Sequence, residues 1–157
     1  MTASGGDSGS GGRRGKLVVL TVVGLGVLAA VVKIILELQV GPHVEAVIAG
    51  LRREIAALPR EEILSADHRG LREFLEKSKA PRELDFYRDR AIPLLEEAYR
   101  KDAGPGGEAF RAAWLLILLR LDHPRSRKFF EAETPSIREP DLRREAEAYL
   151  ARQAQKQ

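Results

Sequence analysis

The sequence predicts an all-helical protein: an N-terminal single transmembrane helix, then a small helical bundle or a short helical-repeat domain of α-solenoid type. Three observations carry this. Residues 17–32 read LVVLTVVGLGVLAAVV, with no charge in the run. After residue 40 no alternating run of Val, Ile or Thr marks a strand. Leu, Ala, Glu and Arg dominate that region, and apolar residues recur there at steps of three and four. The expected organisation is a flexible Gly/Ser-rich tail over residues 1–15, a membrane helix over 16–38 and a helical domain over 41–157.

The tail opens MTASGGDSGSGG, which is too poor in apolar residues to bury a core. In the span, Lys33 interrupts the run, and Ile34, Ile35 and Leu36 extend it to the roughly 20 residues a bilayer crossing needs. The stem of Lys33 can lie in the bilayer while its ammonium reaches the headgroups. A cleaved signal peptide is the first alternative. It has an apolar region of about 7–15 residues and then a small-residue cleavage site. Here Ala29 and Ala30 sit inside the run and are followed by Val31 and Val32. A buried core helix is the second alternative, but core helices rarely lack a polar face for so long. Arg13-Arg14 resembles the start of a twin-arginine export signal, and Gly15, Lys16 and Leu17 then match it poorly.

Flanking charge gives the orientation. Arg13, Arg14 and Lys16 precede the span closely, while Lys33 lies at its far end and Arg52 and Arg53 further on. Positive flanks stay in the cytoplasm. The expectation is a signal anchor with its N-terminus inside and its C-terminal domain outside, periplasmic in a bacterium. A mitochondrial outer-membrane anchor with a cytosolic C-terminal domain is the alternative. Gly26 and Ala30 have the small-xxx-small spacing that lets helices approach closely in lipid.

Beyond the span, Gly41-Pro42 predicts a break. Val44, Ile48, Leu51, Ile55 and Leu58 then share one helix face, until Leu58-Pro59 ends that helix. A second helix is expected from Arg60 to about Lys77, with Ile63, Leu64, Leu71, Phe74 and Leu75 as its apolar residues. Pro81 suits a first helical position and opens a helix from about Arg82 to Lys101. Gly104-Pro105-Gly106-Gly107 is a turn. Glu108 to Leu121 is the next helix, and its stretch from Ala112 to Leu119 is apolar on every side, yet far too short to span a membrane. It reads as a central helix enclosed by the others; the sharper reading leaves part of it exposed for docking. Asp122-His123-Pro124 ends it, Arg125 to Glu133 forms another helix, and Leu142 to about Gln153 the last, after a connector bracketed by Pro135 and Pro140.

Ala91, Leu95 and Ala98 recur 34 positions later as Arg125, Phe129 and Ala132, with small Ala112 and Ala113 between. This resembles a tetratricopeptide repeat, whose period is about 34. The run from Phe110 through Asp122-His123-Pro124-Arg125 to Leu142-Arg143-Arg144-Glu145-Ala146 equally resembles a HEAT-like repeat. The resemblance covers residues 84–152. It is degenerate: the Gly expected in the first tetratricopeptide helix is missing, and Arg125 replaces a small residue. It implies a protein-binding scaffold.

The chain carries a net charge of +3, of which residues 1–40 hold +2. The remaining +1 is no basic face, which argues against nucleic-acid binding. There is no cysteine, so disulfide and thiolate chemistry are absent. His43, His68 and His123 form no paired metal motif, so neither a metal nor another cofactor is expected. Asp67-His68 and Asp122-His123 read as helix-end residues. Ser65, Ser78, Ser126 and Ser136 lack a nucleophile-elbow context. Glu61-Glu62 and Glu96-Glu97 are neighbours that do not face each other on a helix. Gly104 to Gly107 lacks the lysine and hydroxyl of a phosphate loop.

These readings point away from an enzyme and towards a membrane-anchored adaptor or assembly factor that binds partner proteins. The alternatives are a non-catalytic subunit stabilising a larger membrane complex through its span, and a hydrolytic enzyme with an unrecognised site. The candidate partner-binding residues are Val44, Ile48, Leu51, Ile55 and Leu58, whose spacing also fits a homodimer through the juxtamembrane helix, and the pair Phe129-Phe130. One ring of that pair is expected in the core and the other is free to anchor a partner.

Overall fold

A computed structural model describes residues 11–59 and 68–156, with side chains for 30–34, 39–59 and 68–156. The expectations for residues 1–10, for Glu61-Glu62, Ile63, Leu64, Ser65 and Asp67, and for the side-chain packing of Gly26, lie outside these. Every described α-helix or 3-10 turn belongs to an all-helical chain. The α-helices are α1 (Gly11–Ala56), α2 (Arg69–Lys77), α3 (Ala80–Phe86), α4 (Arg88–Lys101), α5 (Glu108–Leu121), α6 (Arg127–Glu133) and α7 (Pro140–Gln155). The chain divides into two compact units, Met1–Gln39 and Val40–Gln157.

In the first unit the described side chains of Val31, Val32 and Ile34 are 45%, 46% and 56% exposed. Among the described residues one stretch, Ala30–Ala56 of α1, is long and apolar enough to cross a membrane by length and composition, and 14% of its most apolar window is buried. Its second half carries Glu45, Arg52, Arg53 and Glu54, and Val44, Leu51 and Ile55 there are buried in the core of the second unit. The stretch before Glu37, whose one charge is Lys33, is therefore the part whose composition suits lipid.

The second unit is built around α5. Ala112 to Leu119 and Leu121 are all buried. Helices α2, α4 and α7 pack against α5, and α6 packs against α7. A helix apolar all round can be satisfied only by neighbours on every side, which is the arrangement found. Trp114 is fully buried at its centre. Its indole N–H donates to Asp102 Oδ2 at 2.8 Å, and Arg52 of α1 donates to the other oxygen of the same carboxylate. The single polar atom of the largest core side chain is thus matched. An aromatic chain joins α4, α6 and α7: Tyr99 to Phe129 at 5.2 Å, Phe129 to Phe130 at 5.3 Å, Phe130 to Tyr149 at 4.7 Å between ring centroids.

Three expected helix boundaries differ. His68 sits in the left-handed region at φ 52, so α2 begins at Arg69 and the helix expected from Arg60 does not run through to Lys77. The helix α1 runs through Gly41-Pro42, with Pro42 in its interior. Proline removes one backbone donor and disfavours a helix interior by about 3 kcal/mol. Val44, Leu51 and Ile55, buried just beyond it, offset that cost. The helix expected from Arg82 to Lys101 is two helices, because Tyr87 leaves helical geometry at φ −101, ψ 28. Tertiary packing overrides the periodicity there: the Tyr87 ring stands edge-on to His43, 5.5 Å away. Pro93 inside α4 leaves the Asp89 carbonyl without its helical donor, and Arg125 Nη1 donates to it at 3.0 Å.

The turns are held by few residues. Gly106 adopts φ +83, and a Cβ on Gly107 would collide with the Asp102 carbonyl. Asp122 ends α5 in the left-handed region at φ 43, as Asp tolerates. Its carboxylate accepts from Lys156 at 3.0 Å and from Gln153 at 3.1 Å. The Lys156 hydrogen bond, against some burial, holds that carboxyl below the usual aspartate range.

The Tyr149 hydroxyl donates to the His123 carbonyl at 2.6 Å. Burial, reinforced by the Asp122 charge, pushes its pKa up to about 12. The unfolded phenol ionises near 10, so the unfolded state loses its proton first as pH rises. Stability is therefore full below about pH 10 and falls as the pH climbs towards 12. Tyr149→Phe is expected to shrink that alkaline loss, read as chemical unfolding midpoints across pH 8 to about 11. A second expected result is that residues 40–157 alone fold: circular dichroism of that fragment shows strong helix and a cooperative melt, whereas a disordered spectrum would contradict a self-contained core.

Candidate docking groove

A groove of about 760 Å³ lies between α2, α3, α5 and α7. Its floor is apolar. Leu75 and Pro81 contribute from α2 and α3, Ile117 from α5 and Ala148 from α7. The cover over α5 is thinnest here: Leu116 and Leu119 keep 8% and 9% exposure, the most among the buried residues of that helix. The volume falls within the usual range of ligand sites.

The rim is charged. Arg72 forks onto Glu145 at 2.5 and 3.3 Å, tying α2 to α7. It also lies 3.5 Å from Asp141, to which the buried His68 ring is bonded at 3.2 Å. Burial acts to raise the Asp141 pKa, but hydrogen bonds from His68 and the Leu142 backbone N–H outweigh it and hold the carboxyl below the usual range. Arg152 pairs with Asp122 at 3.6 Å. Arg82 and Arg120 also line the groove, and no ion pair engages either among the described residues. Against these two guanidiniums stands the Glu76 carboxylate, so the uncompensated rim is one charge positive.

The residues expected to bind partners lie elsewhere. Val44, Leu51 and Ile55 are buried in the core of this same unit, so the stripe packs on the chain's own helices. Ile48 and Leu58 are partly buried against that core. Ile48 also lines another groove, of about 490 Å³, with Leu94 and Ala98. Phe129 and Phe130 correct the expectation that one ring stays outside: they are 4% and 0% exposed. The short α6 is clamped between the α4 and α7 aromatics, which leaves neither ring a path to the surface.

Most of the other polar residues named from the sequence have local partners; the buried Ser126 hydroxyl has none among the described residues. His43 bonds Glu83 at 2.7 Å, and His123 accepts the Arg125 backbone N–H at 3.3 Å. Ser78 accepts the Ala80 N–H, and Ser136 donates to the Glu133 carbonyl. Glu96 and Glu97 sit in different surroundings: burial raises the first, and the Lys101 hydrogen bond lowers the second. Among the described residues no three His, Cys, Asp or Glu side chains are grouped to hold a metal ion. No protein-family model, no curated protein and no solved structure matches this chain.

Proposed function

We propose that this chain is a membrane-anchored helical adaptor that holds a partner protein at the bilayer. The run from Leu17 to Leu36 is its retained span, the N-terminus is cytoplasmic and the unit from Val40 onward lies on the opposite side. The observation that carries the reading is the pairing of two unlike parts: an apolar helix with exposed Val31, Val32 and Ile34, and a separate core-bearing unit with an amphipathic groove. The degenerate repeat resemblance over residues 84–152 points the same way.

The groove selects its occupant by chemistry. Leu116 and Leu119 offer apolar contact, and Arg82 and Arg120 offer unpaired charge. The matching partner is a protein segment with apolar side chains flanked by carboxylates, as in an amphipathic acidic helix. The test is photo-crosslinking from Ala148, an exposed position on the groove wall, in the native membrane. The expected adduct is an acidic, apolar partner segment. A synthetic peptide of that segment should bind the purified chain at least tenfold more weakly when Arg82→Glu and Arg120→Glu are combined, and unchanged with Lys128→Glu on the exposed face of α6. Equal affinity in all three overturns the groove as the docking site.

A further inference from the structure

Phe86 is 81% exposed. Among the described residues the exposed large apolar side chains are Phe86 and three in the apolar run, Val31, Val32 and Ile34. Phe86 is thus the odd residue of a unit that otherwise buries its large side chains. It ends α3, where the helix gives way at Tyr87. The two rings meet edge-on at 4.8 Å, and Tyr87 meets His43 of α1 at 5.5 Å. His43 in turn bonds Glu83 of α3 at 2.7 Å. The exposed ring is therefore fixed to the part of the unit that follows directly on the apolar run.

We propose that Phe86 and the α3–α4 junction form a second contact with the lipid surface, the ring entering the headgroup layer of the bilayer that α1 crosses. This rests on the anchoring proposed above. Six residues separate Leu36, the end of the apolar run, from His43. A tether of that length spans at most about 25 Å. The headgroup layer on one side of a bilayer is about 5–8 Å deep. A ring attached through Tyr87 to His43 is thus within reach of that layer.

Charge around the ring fits lipid. Asp85 is paired with Arg88 at 2.8 Å, and Glu83 is hydrogen-bonded to His43. Lys79, which caps α3, has no ion pair among the described residues. An apolar ring with an unmatched lysine on the same short helix suits phosphate headgroups over acyl chains. A protein partner is the weaker fit. A specific protein interface buries about 1,000 Å² or more with matched shape, while one protruding ring needs only a soft interface.

The chain has no cysteine, so one introduced thiol carries one fluorescent label. Full chain is reconstituted into vesicles of phosphatidylcholine and phosphatidylglycerol, with the label at Val31→Cys, Phe86→Cys or Lys128→Cys. Lipid-borne nitroxide is expected to quench the labels at 31 and 86, while aqueous iodide reaches the label at 128. A label at Lys79→Cys keeps the Phe86 ring. Lipid quenching there is expected, and adding Phe86→Asp removes at least half of it. Quenching at 31 with aqueous behaviour at 86 and 79, or indifference to Phe86→Asp, overturns the second contact and leaves the anchor standing. No lipid quenching at 31 overturns both.

Discussion

Trp114→Ala is expected to destabilise the helical unit by about 3–5 kcal/mol, the usual cost of emptying a buried tryptophan site. That is a large share of the roughly 5–15 kcal/mol a domain holds in total. The side chain is fully buried at the centre of α5. Its loss also strips the indole N–H from Asp102, a largely buried carboxylate that then keeps only Arg52. Trp114→Phe separates the two effects. It keeps most of the apolar volume and drops the hydrogen bond, so a smaller loss of about 1–3 kcal/mol is expected. Denaturant unfolding followed by circular dichroism measures both. Because Trp114 is the sole tryptophan, its emission gives a second reading: blue-shifted and poorly quenched when folded. Emission like free indole in the folded chain would make α5 a surface helix and overturn the architecture.

Phe130→Ala is expected to cost about as much, roughly 3–5 kcal/mol. The ring is fully buried between Phe129 and Tyr149, and the Phe130 carbonyl accepts the Thr134 hydroxyl at 2.6 Å, which fixes the end of α6. A partner anchor behaves differently: its truncation weakens binding and leaves the unfolding midpoint where it was. An unchanged midpoint in Phe130→Ala would return the aromatic pair to the surface.

The bounds of α5 were legible in the sequence because every signal agreed there. A glycine turn precedes it, the core face is apolar all round, and Asp122-His123-Pro124 closes it. The stripe from Val44 to Leu58 was legible as a face, but periodicity cannot tell a face that meets a partner from one that meets its own chain. For Val44, Leu51 and Ile55 the structure gives the second answer. Pro42 and Tyr87 misled in opposite senses. A proline reads locally as a break, yet packing beyond Pro42 carries the helix through. Nothing local at Tyr87 announces the break made by a ring that packs on His43.

The groove left almost no trace in the sequence. Arg72 and Glu145, which set its rim, are 73 positions apart. Arg82 and Arg120 look like any other arginine on a solvated helix. Only the fold shows that their charges have no ion pair among the described residues, beside thinly covered Leu116 and Leu119. Phe86 was equally silent: two residues from Leu84 it falls on the opposite side of a helix, and its exposure shows that nothing among the described residues covers it there.

The central claim is that an apolar helix holds this helical unit to a membrane and is kept in the mature protein. N-terminal sequencing of the protein recovered from alkali-washed native membranes tests it most directly. The expected result is a chain that retains the run from Leu17 to Leu36. A mature start between about residues 29 and 45, the position a signal-peptide cleavage would leave, would contradict it.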